Sequence, residues 1–487
     1  MTTTQQVLGV SWLALSPFIA LAAAAVAILL AATVTKRHLV FAGLSVAGAL
    51  AALVLVIVLH GSADRRATGL LSVDDFSLYY IGLLSVLAIV LAVLSWNYLS
   101  KTERRRADYY SLMVTAALGS AVLAASSHFA SLFLGLEILS VALYGLIAYP
   151  SERTVSIEAG LKYLVLAGAT SAFLLLGIAF VYAMTGTLSL SDLPTAAQGL
   201  AGGGRIIYLA GLILVLTGIG FKLAVVPFHM WTPDVYQGAA SPVTGFVASV
   251  SKAGVFVLLL RYSALLGLGS DAAVKIVLEV IAYASMLGGN LLALLQTNVK
   301  RMLAYSSIGH LGFLLVGLLA GGSYAGQAVA FYLSTYALAI VAAFGVLGIA
   351  TAGGVEPEHL DSLRGLGRKR PWLGAMFTVT LLSLAGLPVS AGFIGKFLLV
   401  QAGAQTGRWG LVIVLVVASA IGLFYYLRVI LTVFSRRPAG TAVDLERGRG
   451  FVAAGGTLGI ITVVLLVLGV YPSLLLSLLG GAASVFR

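Results

Sequence analysis

The chain has 487 residues, of which 60% are hydrophobic and only 9% charged, with a mean hydropathy of +1.06. A soluble domain carries about a quarter charged residues, so this composition excludes a soluble enzyme. With no cysteine, the chain can hold neither disulfides nor thiolate-bound zinc nor cysteine-ligated iron–sulfur clusters. The net charge of +12 would suit a nucleic-acid binder, but in a membrane protein such an excess marks cytoplasmic loops.

In chain order, the first apolar stretch covers 8–34, with no Lys or Arg before Lys36. A cleavable signal needs a basic start and a short apolar core, so this stretch is predicted to be a retained first span. Further apolar stretches follow at 39–60, 75–97, 109–126, 129–149, 158–183, 205–230, 241–263, 273–294, 300–320, 325–351, 372–401, 409–434 and 451–484. About 20 apolar residues cross a bilayer as a helix, whereas a barrel strand is shorter and alternates. The expectation is an all-α integral membrane protein with about fourteen transmembrane helices. The longest polar connections, 186–204, 353–371 and 435–450, leave no room for a soluble domain.

Basic residues set the predicted topology. Odd-numbered connections hold seventeen Lys and Arg: Lys36, Arg37, Lys101, Arg104, Arg105, Arg106, Arg153, Lys300, Arg301, Arg364, Arg368, Lys369, Arg370, Arg436, Arg437, Arg447 and Arg449. Even-numbered connections and the termini hold seven: Arg65, Arg66, Arg205, Arg261, Lys275, Arg408 and Arg487. The positive-inside rule then puts the odd loops in the cytoplasm and both termini on the outer, periplasmic side.

Five basic residues lie more than two positions inside a span: Lys162, Lys222, Lys252, Lys396 and Arg428. Four of the nine lysines are intramembrane but only one of the twenty arginines. A site that needed only positive charge could use either residue. Lysine differs because a buried ammonium can give up its proton and rebind it, whereas a guanidinium stays charged. The bias therefore points to proton handling. Long basic side chains near helix ends also snorkel to the interface, a reading that fits Lys162 and Arg428 better than Lys222 and Lys252.

Glu137 sits mid-span in Leu136-Glu137-Ile138-Leu139-Ser140, where a carboxylate is expensive unless paired, hydrated or protonated. It can serve as a proton carrier or as a packing carboxyl bonded to a neighbour. Lys222 precedes Pro227, which lacks an N–H and should break the seventh span; His229 follows and could relay a proton there or simply sit at the interface. Broken helices open backbone groups and admit water where ions pass. The twelfth span carries a similar interruption, Leu387-Pro388 to Gly392-Phe393-Ile394-Gly395-Lys396. It is no phosphate loop, since neither the first Gly nor the Ser or Thr after Lys is in place. Lys252 lies in the eighth span and His310 in the tenth, so that Glu137, Lys222, Lys252, His310 and Lys396 could line a polar file at mid-depth. The two interrupted spans are five apart, and an odd separation reverses the direction of crossing. Spans 4–8 and 9–13 are therefore expected to be inverted five-helix repeats, giving units 1–108, 109–263, 264–434 and 435–487. No metal-ligand cluster, dinucleotide fingerprint or hydrolytic triad is apparent.

Three segments carry a specific resemblance: Leu136-Glu137-Ile138-Leu139-Ser140; Phe221-Lys222 through Pro227-Phe228-His229-Met230-Trp231-Thr232-Pro233-Asp234 to Gly238; and Leu295-Gln296-Thr297-Asn298 through Tyr305 to His310-Leu311-Gly312. From about the third span onward the chain resembles the antiporter-like subunits of respiratory complex I, the bacterial NADH–quinone oxidoreductase. The resemblance implies that Glu137 and Lys222 form the carboxylate–lysine pair of the first half, with Lys252 as bridge and Lys396 as the second-half lysine. The subunit M type has Glu where Lys396 stands, and the subunit L type continues into a long lateral helix, whereas this chain ends at Arg487. Both departures favour the subunit N type. A cation/proton antiporter subunit shares the same core and is the competing reading. The resemblance implies one proton-translocating module in a bacterial inner-membrane arm, beside other antiporter-like subunits. It also implies that NADH, FMN, iron–sulfur clusters and quinone are handled by other chains and that this one holds no cofactor.

Overall fold

The computed structural model describes residues 11–60, 67–102, 106–149, 152–266, 271–351, 355–436 and 450–483. Helices account for nearly all of them: α1 Trp12–Val34, α2 His38–Leu59, α3 Asp75–Thr102, α4 Arg106–Ala125, α5 Phe129–Ile147, α6 Thr154–Thr185, α7 Gly202–Leu223, α8 Trp231–Gly238, α9 Ser241–Leu266, α10 Ala272–Leu294, α11 Val299–Ala320, α12 Gly322–Ala350, α13 Pro371–Ala385, α14 Ala391–Gln405, α15 Trp409–Phe434 and α16 Phe451–Val470. Thirteen of the described helices are long and apolar enough to cross a membrane. The short apolar helix α13 and its continuation α14 make up the fourteenth crossing, the interrupted span expected at 372–401.

The breaks fall where the sequence places them. α7 ends two residues after Lys222 with Ala224 in the left-handed region at φ 59°, and Val225 N–H turns back to Gly220 O at 3.1 Å. α13 ends the same way at Gly386, φ 80°, with Leu387 N–H on Leu382 O at 3.1 Å. A left-handed residue with a long backward hydrogen bond satisfies carbonyls that a helix end would otherwise leave bare. The two breaks differ in one respect: Lys222 lies before its break, whereas Lys396 lies on the helix after it.

Small residues set the closest helix contacts, as expected where lipid supplies no hydrophobic drive between helices. A methyl group at Gly119 of α4 would stand 2.6 Å from the Leu139 nitrogen of α5, and one at Gly289 of α10 would stand 2.6 Å from the Gly309 nitrogen of α11. α9 is buried along its whole length, and α11 and α12 nearly so, while α6 shows most of its surface. The core of the molecule is thus α9, α11 and α12.

Loop contacts group the even connections at one end and odd connections at the other. Short antiparallel backbone pairings join the second, fourth and sixth connections, Leu71 with Ser126 and His128 with Ser189, and another joins the ninth and eleventh, Asn298 with His359. Arg261, assigned above to an even connection, instead belongs to α9. It is 2% exposed and donates to both oxygens of Asp74 at 2.7 and 2.8 Å. Arg65, Arg66, Arg104, Arg105, Arg437, Arg447, Arg449 and Arg487 lie outside the described residues, as do both termini and most of the connection 435–450.

Candidate functional site

Four of the basic residues singled out by the sequence are separated by their surroundings. Lys222, Lys252 and Lys396 are buried, at 4%, 0% and 7% exposure, whereas the Lys162 side chain is 45% exposed. Lys162 pairs with Glu158 at 2.7 Å and with Asp234 at 2.9 Å, and Arg301 reaches the other Asp234 oxygen at 2.7 Å. It therefore belongs to an ionic cluster that ties α8 to α6 and α11 at the molecular surface. Arg428 donates to Gln296 O at 2.6 Å, near a helix end.

Lys222 occupies the last turn of α7, where its Nζ donates to Ser140 Oγ of α5 at 2.6 Å and to Tyr163 OH of α6 at 3.3 Å. Its charge also lies 5.0 Å from the centre of the Tyr163 ring, a favourable cation–π distance. Glu137 stands one turn before Ser140 on the same helix and accepts from Ser171 Oγ of α6 at 2.6 Å. The expected pair is thus brought together on facing helices without a direct ion pair, since among the described residues no Lys222 nitrogen lies within 4.0 Å of Glu137 oxygen. Trp231, just after the break, donates its indole N–H to Phe221 O at 2.9 Å and packs tilted against the Tyr163 ring, with centroids 4.8 Å apart. His229 is half-buried in the loop before α8, with its ring edge-on to Tyr305 at 6.5 Å, and it meets none of the other candidates.

Lys252 follows a single wide turn, Val247–Ser251, with π-helical bonding inside α9. Such turns interrupt the regular ladder and recur at functional sites. Its Nζ donates to Ser307 Oγ of α11 at 2.8 Å, and Ser307 is also bonded to Tyr336 OH of α12 at 2.5 Å. His310, one turn further along α11, is fully enclosed. Its Nδ1 faces Tyr332 OH at 2.6 Å and its Nε2 faces Tyr426 OH at 3.0 Å. Lys396 of α14 donates to Ser419 Oγ and to Ala385 O, both at 2.8 Å. The second of these is a terminal carbonyl of α13, where a cation suits the negative end of the helix dipole. Beside Lys396 lies a cavity of about 350 Å³, walled by Phe393, Phe397, Leu415, Val416 and Ser419.

The structure therefore places three buried lysines on neutral oxygen partners, with no carboxylate within 4.0 Å of Lys252 or Lys396 among the described residues. Taking an ammonium out of water costs several kcal/mol, and hydroxyl or carbonyl partners offset it only in part.

Sequence reasoning missed the ionic rim. Glu356, between α12 and α13, is buried and accepts from Tyr98 OH at 2.6 Å, Ser241 N–H at 2.9 Å, Ser241 Oγ at 2.7 Å and Lys300 Nζ at 2.7 Å. Lys300 also donates to Ala239 O at 2.6 Å, at the end of α8. The network locks the far end of the broken seventh span to the start of α11. Asp74–Arg261 and Glu279–Arg408 pin the opposite side. The only signal in the sequence was that few acidic residues exist, so each one near a span end had a high chance of a buried partner. Burial pushes the Glu356 carboxyl up, but the Lys300 charge and the bonds from Lys300, Tyr98 and Ser241 outweigh it and hold the group below the usual carboxylate value. A group depressed on folding stabilises the protein above its unfolded pKa, near 4, and that contribution is lost as pH falls through the lower folded value. Glu356→Gln should strand Lys300 as a buried unpaired charge and cost about 3–5 kcal/mol, read as lost assembly and a lower unfolding midpoint at neutral pH. The wild-type advantage over this variant should shrink as the solution is acidified below about pH 4.

Among the described residues, fourteen crossings, two of them broken beside buried lysines, define an antiporter-like, multi-pass membrane protein. A family model described as NADH:quinone oxidoreductase/Mrp antiporter, TM, matches residues 126–422, and the chain belongs to that family. It is 42% identical over 476 residues to the NADH-quinone oxidoreductase subunit N of Methylococcus capsulatus, covering 97% of this chain and 94% of that one. Its fold is similar to a chain of respiratory complex I from Thermus thermophilus, solved with bound aureothin, at a TM-score of 0.81 and 36% identity, covering 96% of this chain and all of that one. It also shares the fold of a chain of the Mrp complex from Dietzia sp., with a TM-score of 0.82 at 23% identity and 98% of both chains covered.

Proposed function

We propose that this chain serves as the subunit N type of membrane module in a proton-pumping NADH–quinone oxidoreductase, where it moves protons while NADH is oxidised and quinone reduced in other subunits. The observation that carries the reading is the set of three buried lysines held on hydroxyls and carbonyls at mid-span. The kinship over nearly the whole chain with a subunit N supports it. In this reading Glu137 and Lys222 form the first-half switch, Lys252 is the bridge, and Lys396 is the second-half site near the exit. His310 relays between the last two. Helices α4–α9 and α10–α15 are the two inverted units, supported by their matching glycine contacts and matching helix breaks. The module sits in a bacterial cytoplasmic membrane beside other antiporter-like subunits, with the odd loops in the cytoplasm and both termini outside. Electron-carrying groups belong to its partners.

The test is co-purification. A tagged chain extracted in mild detergent should bring down hydrophilic iron–sulfur subunits and NADH–quinone reductase activity. Recovery with hydrophobic partners alone, together with sodium/proton exchange in vesicles, would move the chain to the cation/proton antiporters and overturn the proposal.

A further inference from the structure

Tyr332 and Tyr426 take no part in the mechanism above, yet each places a hydroxyl on one ring nitrogen of His310. A neutral imidazole donates from one nitrogen and accepts at the other. Here either tautomer is satisfied, because a phenol hydroxyl can act in both senses. The two phenols also lead in different directions. Tyr426 OH is bonded to Ser306 Oγ, and Ser306 is the chain neighbour of Ser307, which holds Lys252. Tyr332 packs against the helix that carries Lys396: a methyl group at Gly395 would stand 2.6 Å from its ring. The Phe313 ring joins that end, with its centre 5.6 Å from His310, 6.5 Å from Tyr332 and 5.1 Å from Lys396 Nζ. The imidazole, both phenols and both serines are buried.

We infer that Tyr426, His310 and Tyr332 form a hydroxyl–imidazole–hydroxyl wire that passes protons between the Lys252 side and the Lys396 side of the molecule. This rests on the proton-translocating reading proposed above. In one transfer the Tyr426 O–H bond breaks as His310 Nε2–H forms. At the same time His310 Nδ1–H breaks as a bond to the Tyr332 oxygen forms, and Tyr332 gives up its original hydrogen to the Lys396 amine, which takes it as a third N–H after it has released its own proton. Tyr426 is made whole by a proton arriving from the Ser306 side. One proton has moved, no electrons have changed hands, and the imidazole is left in the opposite tautomer. It must turn about its side-chain bond before the next transfer. Positioned groups of this kind, bonded heavy atom to heavy atom at 2.6 and 3.0 Å, are within reach for proton transfer.

The test uses the assembled enzyme in sealed vesicles, with Tyr426→Phe, Tyr332→Phe and the double variant, each checked for subunit content. Phe keeps the ring and removes only the hydroxyl. Each single variant should lower proton pumping roughly tenfold, and the double should be no worse than either single, because cutting a series wire twice stops the same current. Tyr109→Phe loses a buried Tyr–Ser bond of the same kind, to Ser95 at 2.8 Å, and should pump normally. Losses that multiply in the double variant would mean two independent structural defects and overturn the wire, as would normal pumping in both singles. Should Tyr426→Phe fail to assemble, Ser306→Ala frees the same hydroxyl from its partner and should slow pumping; normal pumping in that variant together with normal pumping in Tyr332→Phe also overturns the inference. Lys222→Ala keeps the two readings apart. If it pumps normally, translocation by this chain fails; if it is blocked while the tyrosine variants are not, the wire alone fails.

Discussion

Lys222→Ala and Glu137→Ala are each expected to suppress proton pumping and quinone reduction by roughly tenfold or more, with the subunit present at its wild-type level. The expectation comes from the geometry at the first break. Lys222 is held by Ser140, one turn from Glu137 on the same helix, so the carboxylate stands next along α5 from the hydroxyl that now holds the ammonium. At an effective dielectric of about 20, bringing unit charges from 8 Å to 4 Å changes their energy by about 2 kcal/mol, a useful bias for a switch. Desolvation of the ammonium supplies the remainder of the driving force. Without Lys222 there is no carrier, and without Glu137 there is no bias. Glu137→Asp keeps the charge on a shorter arm and should be milder. Pumping is measured as acidification by inside-out vesicles with NADH, alongside subunit content. Near-normal pumping in both alanine variants would remove these residues from the mechanism.

Much of this architecture is legible in the sequence, for a physical reason. Lipid forces backbone bonds inside each segment, so hydropathy alone locates the helices, and Pro227 and Pro388 with their neighbouring glycines mark the breaks. Buried charge is rare enough in a membrane that Glu137, Lys222, Lys252 and Lys396 stand out without a structure. What the sequence hides is what those charges touch. Ser140, Ser171, Ser307 and Ser419 are ordinary in composition, and only the packing of one helix on another turns them toward the lysines. The Lys300–Glu356 pair was hidden for a related reason: its partners lie 56 residues apart, and Lys300 counts as a loop cation until the fold buries it. Lys162 shows the opposite case, an in-span lysine by sequence that the fold leaves in a surface ionic cluster. The resemblance implies a Glu137–Lys222 pair; the structure sets the two on facing helices, with Lys222 bonded to Ser140 and Glu137 to Ser171.

Lys396→Arg is expected to pump poorly even when fully assembled. The substitution keeps the positive charge and removes easy deprotonation, so it separates an electrostatic anchor from a proton-releasing group. Both roles are compatible with the observed contacts, since an ammonium on the Ala385 carbonyl would steady the break in either case. The local packing decides whether the test can be read. Gly386 lies so close that a methyl group there would stand 2.7 Å from Lys396 Cδ, and Gly395 is pressed against Tyr332, so a guanidinium has no room on those sides. On the remaining side the cavity of about 350 Å³ lined by Phe393, Phe397, Val416 and Ser419 can take the extra atoms. An assembled Arg variant is therefore expected, and its subunit content is measured first. An anchoring role would leave pumping near normal. A proton-releasing role would cut it roughly tenfold or more, because the guanidinium holds its proton at any working pH. Lys396→Glu can still titrate and should retain more activity than the Arg variant despite reversing the charge. Full pumping by a well-assembled Lys396→Arg enzyme would sink proton release at this residue and leave Glu137 and Lys222 as the titrating pair that carries the mechanism.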